Sequence, residues 1–270
     1  MKKYLVIGNP IDHSLSPRLH NYWFKENNID AVYEKKQIKE SDIEGIISEM
    51  RNGKIDGINV TVPFKKSVLP FLDEVQIPKK TQSVNTIFIE KDNFTGSNKL
   101  IGRNTDILGF KFSLEHIKYS VEGKKIFVLG AGGVTPSIIY ALEEMKPSNI
   151  MLSNRTKEKA KDLKKLFPQL EIVEWGDTKN FDMIINTTSL GLKENDKISI
   201  DYDQIGSEKL FYDVIYNPKE TKFLKIGKNS GNLVLNGKLM FIYQALSAFN
   251  IWHGIKPIID EKVIKLLDND

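Results

Sequence analysis

Short apolar runs alternate along this chain with longer amphipathic stretches, the pattern of strand-helix-strand units that assemble into a largely parallel sheet. In the first third, residues 4–7, 32–37, 57–60, 85–90 and 100–103 read as strands, and 17–27, 41–51 and 64–72 read as helices. The Lys91-Asp92-Asn93 stretch predicts a tight turn and a local hairpin. Beyond Asp106 the alternation restarts with a connecting helix over 107–118, a strongly apolar strand at 125–129 and a helix reaching about residue 146. A strand at 150–153, a helix at 157–167 and strands at 183–186, 210–214 and 233–235 follow. Residues 238–253 are apolar almost all round, which predicts a helix buried between layers.

Composition narrows the class without deciding the chemistry. A chain of 270 residues exceeds one typical domain and has room for two modest ones. With 40% hydrophobic and 27% charged residues, neither disorder nor a fibrous architecture is expected. The 39 basic and 35 acidic residues give a net charge of +4, spread along the chain without the basic stripe that nucleic-acid binding needs. There is no cysteine, which excludes disulfides, thiolate catalysis and thiolate-bound metals. His13, His20, His116 and His253 lack metal-ligand spacing, so no metal is expected. No apolar run approaches the roughly 18 residues that span a bilayer. The N-terminal apolar stretch is too short for a signal-peptide core, and a cytoplasmic protein without membrane partners is expected.

The sharpest local signal is Gly130-Ala131-Gly132-Gly133-Val134-Thr135, placed after an apolar strand and before a helix. Without a Cβ in the way, the backbone N–H groups and the positive helix end of such a turn approach a pyrophosphate. Thr135 stands where the fingerprint prefers glycine or alanine, whereas Pro136 suits a first helical turn. A carboxylate about 20 residues further on would hold a ribose 2′-hydroxyl and select NAD. Here the next strand instead ends in Ser153-Asn154-Arg155-Thr156, with no carboxylate before Glu158. Arg155 suits a 2′-phosphate and stacking on adenine, Asn154 and Thr156 supply hydrogen bonds, and Lys159 lies one turn later. These residues favour NADP over NAD. The expected fold is therefore α/β: an N-terminal α/β substrate domain with a mainly parallel sheet plus a Rossmann-type dinucleotide-binding domain, with the C-terminal helices returning to the first. The pattern puts the substrate domain at 1–106 and 237–270 and the NADP domain at 107–236.

Other polar residues cluster near predicted strand ends. Ser14 and Ser16 follow the first strand, and their hydroxyls suit a carboxylate, although a serine there also caps a helix. Asn59 and Thr61 share one side of a strand by its period of two. Lys65 follows at the carboxyl end, where open α/β sheets bind ligands. Ser83-Val84-Asn85-Thr86 and Gly102-Arg103-Asn104-Thr105-Asp106 add an amide and a carboxylate. Gln244 sits on the apolar helix, where an unpaired amide would cost roughly 1–3 kcal/mol and therefore needs a partner. His13 is expected to position the serine loop, His20 to be packed in the core, and Trp252 and His253 to serve as core and cap.

In order and spacing, these segments resemble the motif series of the shikimate dehydrogenase family over nearly the whole chain. Asn186-Thr187-Thr188-Ser189, Tyr212-Asp213-Val214-Ile215-Tyr216-Asn217-Pro218 and the run from Asn236 through Ala245 extend the match. The resemblance implies reversible NADPH-dependent reduction of 3-dehydroshikimate to shikimate, on the route to chorismate and the aromatic amino acids. It implies that Ser14 and Ser16 bind the substrate carboxylate, that Asn59, Thr61, Asn85, Asp106 and Gln244 bind ring hydroxyls, and that Lys65 and Asp106 are the catalytic pair. Tyr216 would also approach the substrate. Gly130, Ala131, Gly132, Gly133, Val134, Asn154, Arg155, Thr156, Lys159, Thr187, Val214, Gly237 and Met240 would line the cofactor. A homodimer is compatible with it. Gln82-Ser83 replaces the small Gly-Ala pair common in the family before Val-Asn-Thr, and Ile107 replaces a frequent glycine. The alternatives are an NAD-using quinate/shikimate dehydrogenase and, from another class, a non-catalytic redox sensor that keeps the dinucleotide fold.

Overall fold

A computed structural model describes residues 1–92 and 96–268, and these fall into two compact units, 1–109 with 242–270 and 110–241. The first unit opens with β1 (Lys2–Gly8), α1 (Ser16–Glu26), β2 (Ala31–Gln37), α2 (Ile43–Arg51) and β3 (Gly57–Val60). It continues with β4 (Glu74–Gln76), β5 (Thr86–Lys91), β6 (Asn98–Arg103) and the start of α3 (Asp106–His116). Its sheet runs β2-β1-β3-β5-β6-β4, with β5 antiparallel to its neighbours β3 and β6. The β5–β6 hairpin pairs from Thr86–Arg103 to Lys91–Asn98. The expected Lys91-Asp92-Asn93 turn lies partly outside the described residues, at Asn93.

Alternation along β1 explains how both faces of this sheet are covered, as buried parallel strands require. Leu5 and Ile7 join Ile58, Val60, Ile87 and Leu100 in one core with the Ile43, Ile46, Ile47 and Met50 stripe of α2. That stripe follows the i, i+3, i+4, i+7 spacing of one helical face. Tyr4 faces the other way, its ring 5.4 Å from Phe24 of α1 and 4.9 Å from Trp252. Trp252 belongs to α7 (Lys238–His253), whose residues from Ile242 onward, with α8 (Glu261–Leu266), cluster with the first unit.

Residues 64–72, expected as a helix, form a run of turns ending in a 3-10 turn at Leu69–Phe71. Pro70 has no N–H and disfavours helical backbone at Leu69. The segment is therefore held by short-range bonds such as Leu69 N to Lys66 O and Phe71 N to Val68 O. The one-turn departure matters because it carries Lys65.

The second unit contains most of α3, then β7 (Lys125–Leu129), α4 (Thr135–Glu144), β8 (Asn149–Ser153), α5 (Lys157–Leu166) and β9 (Glu171–Val173). It is completed by β10 (Met183–Asn186), β11 (Leu210–Asp213), α6 (Lys222–Asn229), β12 (Leu233–Leu235) and the first turn of α7. The sheet order β9-β8-β7-β10-β11-β12 is parallel throughout. The direction of winding reverses between β7 and β10, which opens a crevice at their carboxyl ends, the usual dinucleotide position. Among the described residues, no helix is long and apolar enough to cross a membrane.

Candidate active site

In the first unit, polar side chains converge around Lys65. Its main-chain carbonyl accepts the Val84 N–H at 2.9 Å, tying the turn after β3 to the segment that enters β5. The Lys65 ammonium lies 2.6 Å from Asp106 Oδ2. Asp106 is the first residue of α3, where the helix dipole favours an anion. The side chains of the pair are 14% and 7% exposed, so water screens their attraction weakly while the ammonium stays reachable. Asn85 Nδ2 donates to the second carboxylate oxygen, Asp106 Oδ1, at 2.8 Å. Both oxygens of Asp106 are thus held, one by a cation and one by an amide.

Behind this pair lies a buried network of hydrogen-bonded side chains. Asn85 Oδ1 accepts the Thr105 N–H at 2.8 Å, and Asn85 Nδ2 also reaches Thr105 Oγ1 at 3.0 Å. Asn59 donates to the Asn85 carbonyl and to Thr86 Oγ1, each at 3.0 Å, while its own Oδ1 accepts the Tyr33 hydroxyl at 2.6 Å. Asn59 is therefore buried within the scaffold. Thr61, just past β3, is half-buried, and a Cβ on Gly8 would lie 2.5 Å from its methyl, so only glycine lets β1 end this close. Ser14 is half-buried and Ser16 buried; Leu15 occupies the N-cap of α1, and the serines meet only in a 3.3 Å bond from Ser16 N–H to Ser14 Oγ. Gln244 is half-buried on α7 in the same unit.

His20 is buried and stacks on Tyr33 at 4.3 Å between centroids. Burial, with the neighbouring His253, pushes its pKa down to about 3. A ring held neutral in an aromatic core is packing material, while His13 is exposed in the serine loop.

In the second unit the glycine turn sits at the end of β7. Gly130 has φ +109°, and a Cβ there would lie 2.8 Å from Thr187 Oγ1. Nothing stands within 4 Å of a Cβ on Gly133, so the turn presents open backbone at the start of α4. That exposed concave peptide at a helix N-terminus fits a pyrophosphate. Thr135, the departure from the fingerprint, is buried, and its hydroxyl contacts Gly130 O at 3.2 Å, Gly132 N at 3.0 Å and Thr187 Oγ1 at 2.8 Å. Asn154 Oδ1 accepts the Ala131 N–H at 3.0 Å and its Nδ2 donates to Thr156 O at 2.8 Å, which stitches the end of β8 to the turn. Arg155 and Lys159 stand exposed beyond it.

The remaining expected cofactor residues gather at the end of β11. Gly237 is buried, and a Cβ on it would lie 2.1 Å from Val214 O, so the first turn of α7 rests directly on that strand end. Met240 is buried, and the Tyr216 ring lies 4.8 Å from that of Phe241. Beneath them Asp213 accepts bonds from Asn186 Nδ2, Ile215 N and the Thr221 hydroxyl. Burial nevertheless raises its pKa to about 6. Asp213, Tyr33, Thr86 and Thr105 were given no role in the sequence reading, and Thr135 was noted there only as a departure. Thr86 and Thr105 lay inside quoted motifs, but Tyr33 looks like any other residue of an alternating strand.

The chain matches the family described as the shikimate dehydrogenase substrate binding domain over residues 6–87, and that described as shikimate/quinate 5-dehydrogenase over 113–194. It is 56% identical to a protein of Pelagibacter ubique named shikimate dehydrogenase (NADP(+)), covering 99% of each chain. Among solved structures, the shikimate dehydrogenase of Aquifex aeolicus superposes with a TM-score of 0.88 at 37% identity, over 100% of this chain and 98% of the other. Shikimate 5-dehydrogenase of Thermus thermophilus, solved with NADP(H) and shikimate, gives 0.87 at 29% identity over 98% and 97%. On sequence and fold together, the chain belongs to the shikimate dehydrogenase family.

Proposed function

We propose that this protein reduces 3-dehydroshikimate reversibly to shikimate with NADPH, in the cytoplasm, on the route to chorismate. The observation that carries the reading is the Lys65–Asp106 pair at 2.6 Å, braced by Asn85, in a chain of this family. Residues 1–106 and 237–270 would form the substrate domain and 107–236 the NADP domain. Gly130 to Val134 would receive the pyrophosphate, with Arg155 and Lys159 toward the 2′-phosphate, and Asn154, Thr156, Thr187, Val214, Gly237 and Met240 completing the cofactor side. NADPH supplies the hydride when bound.

The chain's own residues then manage charge and protons. As the ketone is reduced, negative charge grows on its oxygen, and the Lys65 ammonium stabilises that charge and donates the proton. In the oxidising direction a neutral Lys65 takes the hydroxyl proton. Asp106 orients the lysine and accepts from a neighbouring ring hydroxyl, and Ser14, Ser16, Thr61, Asn85, Tyr216 and Gln244 fix the acid and hydroxyl groups.

Formation of reduced cofactor from shikimate, followed by absorbance, tests the reading, with quinate and NAD as controls. Turnover of shikimate with NADP is expected. Preference for quinate or NAD would move the protein to the quinate/shikimate alternative, and tight cofactor binding without turnover to a sensor.

A further inference from the structure

The hydrogen bonds behind the Lys65–Asp106 pair have a fixed direction, and they reach the pair by way of Tyr33, whose hydroxyl is also hydrogen-bonded to the Ser16 side chain. Asn59 Nδ2 faces the Asn85 main-chain carbonyl at 3.0 Å, which only accepts, so the Asn59 amide cannot be flipped. Its Oδ1 must then be the atom 2.6 Å from the Tyr33 oxygen, and the Tyr33 hydroxyl is the donor. The second N–H of Asn59 goes to Thr86 Oγ1 at 3.0 Å. Thr86 in turn donates to Asn85 Oδ1 at 3.2 Å, which also receives the Thr105 N–H. With its carbonyl oxygen accepting the Thr105 main-chain N–H and facing the Thr86 and Thr105 hydroxyls, Asn85 has to present Nδ2 to Asp106 Oδ1. That leaves Oδ2 for Lys65.

Tyr33, Asn59, Thr86, Asn85, Thr105 and Asp106 are all buried, so water does not substitute for a missing member. The tyrosine ring is itself locked, stacked on His20 with an interplanar angle of 3°. We propose that Tyr33, acting through Asn59 and Thr86, is a positioning residue that holds Asn85 rigidly in the orientation fixed by the Thr105 N–H, and so steadies the Lys65–Asp106 geometry. Asn59 thereby serves the chemistry from behind the site, through its neighbours. The inference rests on the functional reading above, whose own test is turnover by the unmodified protein.

Three variants decide it. Tyr33→Phe removes one oxygen and keeps the stacked ring, Thr86→Val removes the middle donor at constant shape, and Thr86→Ser keeps that donor. Loss of one buried hydrogen bond that aligns the pair should lower kcat about tenfold in Tyr33→Phe and Thr86→Val. KM for NADPH should stay at the wild-type value, and Thr86→Ser should retain wild-type kcat. Side-chain amide protons of Asn59 and Asn85, read by NMR, should exchange with solvent at least about tenfold faster in Tyr33→Phe. Wild-type kcat in both disabling variants, or equal damage from Thr86→Ser and Thr86→Val, would overturn the proposal. Unchanged amide exchange in Tyr33→Phe would do so even if the unmodified enzyme proved inactive on shikimate, an outcome that would sink the functional reading by itself.

Discussion

Replacing Lys65 by methionine keeps an unbranched stem of similar length and removes only the charge. What remains is an Asp106 carboxylate 7% exposed, still bonded to Asn85 at 2.8 Å but without its cation. Breaking a buried pair from one side costs about 3–5 kcal/mol, because the orphaned charge keeps its desolvation penalty. The surviving amide and the α3 dipole place this case at the low end, at roughly 3 kcal/mol of the stability measured by urea unfolding. Loss of the proton donor should separately lower kcat by about 10²–10⁴-fold, followed through formation of reduced cofactor from shikimate. Because the two side chains form one unit, Lys65→Met and Asp106→Asn should be strongly non-additive, with a coupling of at least about 1 kcal/mol in the double variant. Additive effects on the rate, or wild-type turnover in Lys65→Met, would refute the assignment of the pair.

Removing the Ser83 hydroxyl, buried without a hydrogen-bond partner, should stabilise the protein by about 1 kcal/mol; a Ser83→Ala variant that melts lower than wild type would contradict this. Gly237→Ala places a Cβ 2.1 Å from Val214 O, so it should cost about 1–3 kcal/mol and raise KM for NADPH, and an unchanged KM would separate that glycine from the cofactor. Acid should act on two buried groups in opposite senses. His20, lowered to about 3 from an ordinary 6.5, stabilises fully above pH 6.5, and about 2 kcal/mol of that is lost between pH 7 and 5 as only the unfolded chain takes up the proton. Asp213, raised to about 6, binds its proton first in the folded state and returns about 1 kcal/mol over the same interval. Asp213→Asn should therefore lose stability more steeply from pH 7 to 5 than wild type; equal slopes would show that Asp213 is not so shifted.

The α/β alternation was legible where apolar runs stand between turn residues or recur over a long helix: β3, β7, β10, β12 and α7 lie where the pattern puts them. The short edge strands β4 and β9 were not, since Glu74–Gln76 and Glu171–Val173 become strands only by pairing with β6 and β8. Apolar content alone made 64–72 look helical, and Pro70 overrode it. At the site, Lys65, Asp106 and Asn85 could be read from motifs, whereas Tyr33 could not. Its role depends on β2 lying beside β1 and β1 beside β3, which puts position 33 in register with Gly57, two residues before Asn59, with β1 between them.

The two places where small motif residues are replaced by hydroxyls show what a motif position demands. Thr135 occupies the fingerprint's third small position and is buried, yet its oxygen bonds the turn's backbone and Thr187. The added polar atom is matched, and the substitution tightens the turn while leaving its open face unchanged. Ser83 stands where alanine is common, equally buried, and its oxygen meets nothing. The same chemical change thus stabilises one loop and burdens the other, because the fold supplies partners for the hydroxyl at position 135, while at 83 the neighbouring Asn104 amide is spent on the main-chain carbonyl and the hydroxyl goes unmatched. What a motif specifies is volume, backbone approach and a closed hydrogen-bond count. Letters that restore all three are tolerated, which is why the departure at 135 leaves the glycine turn intact.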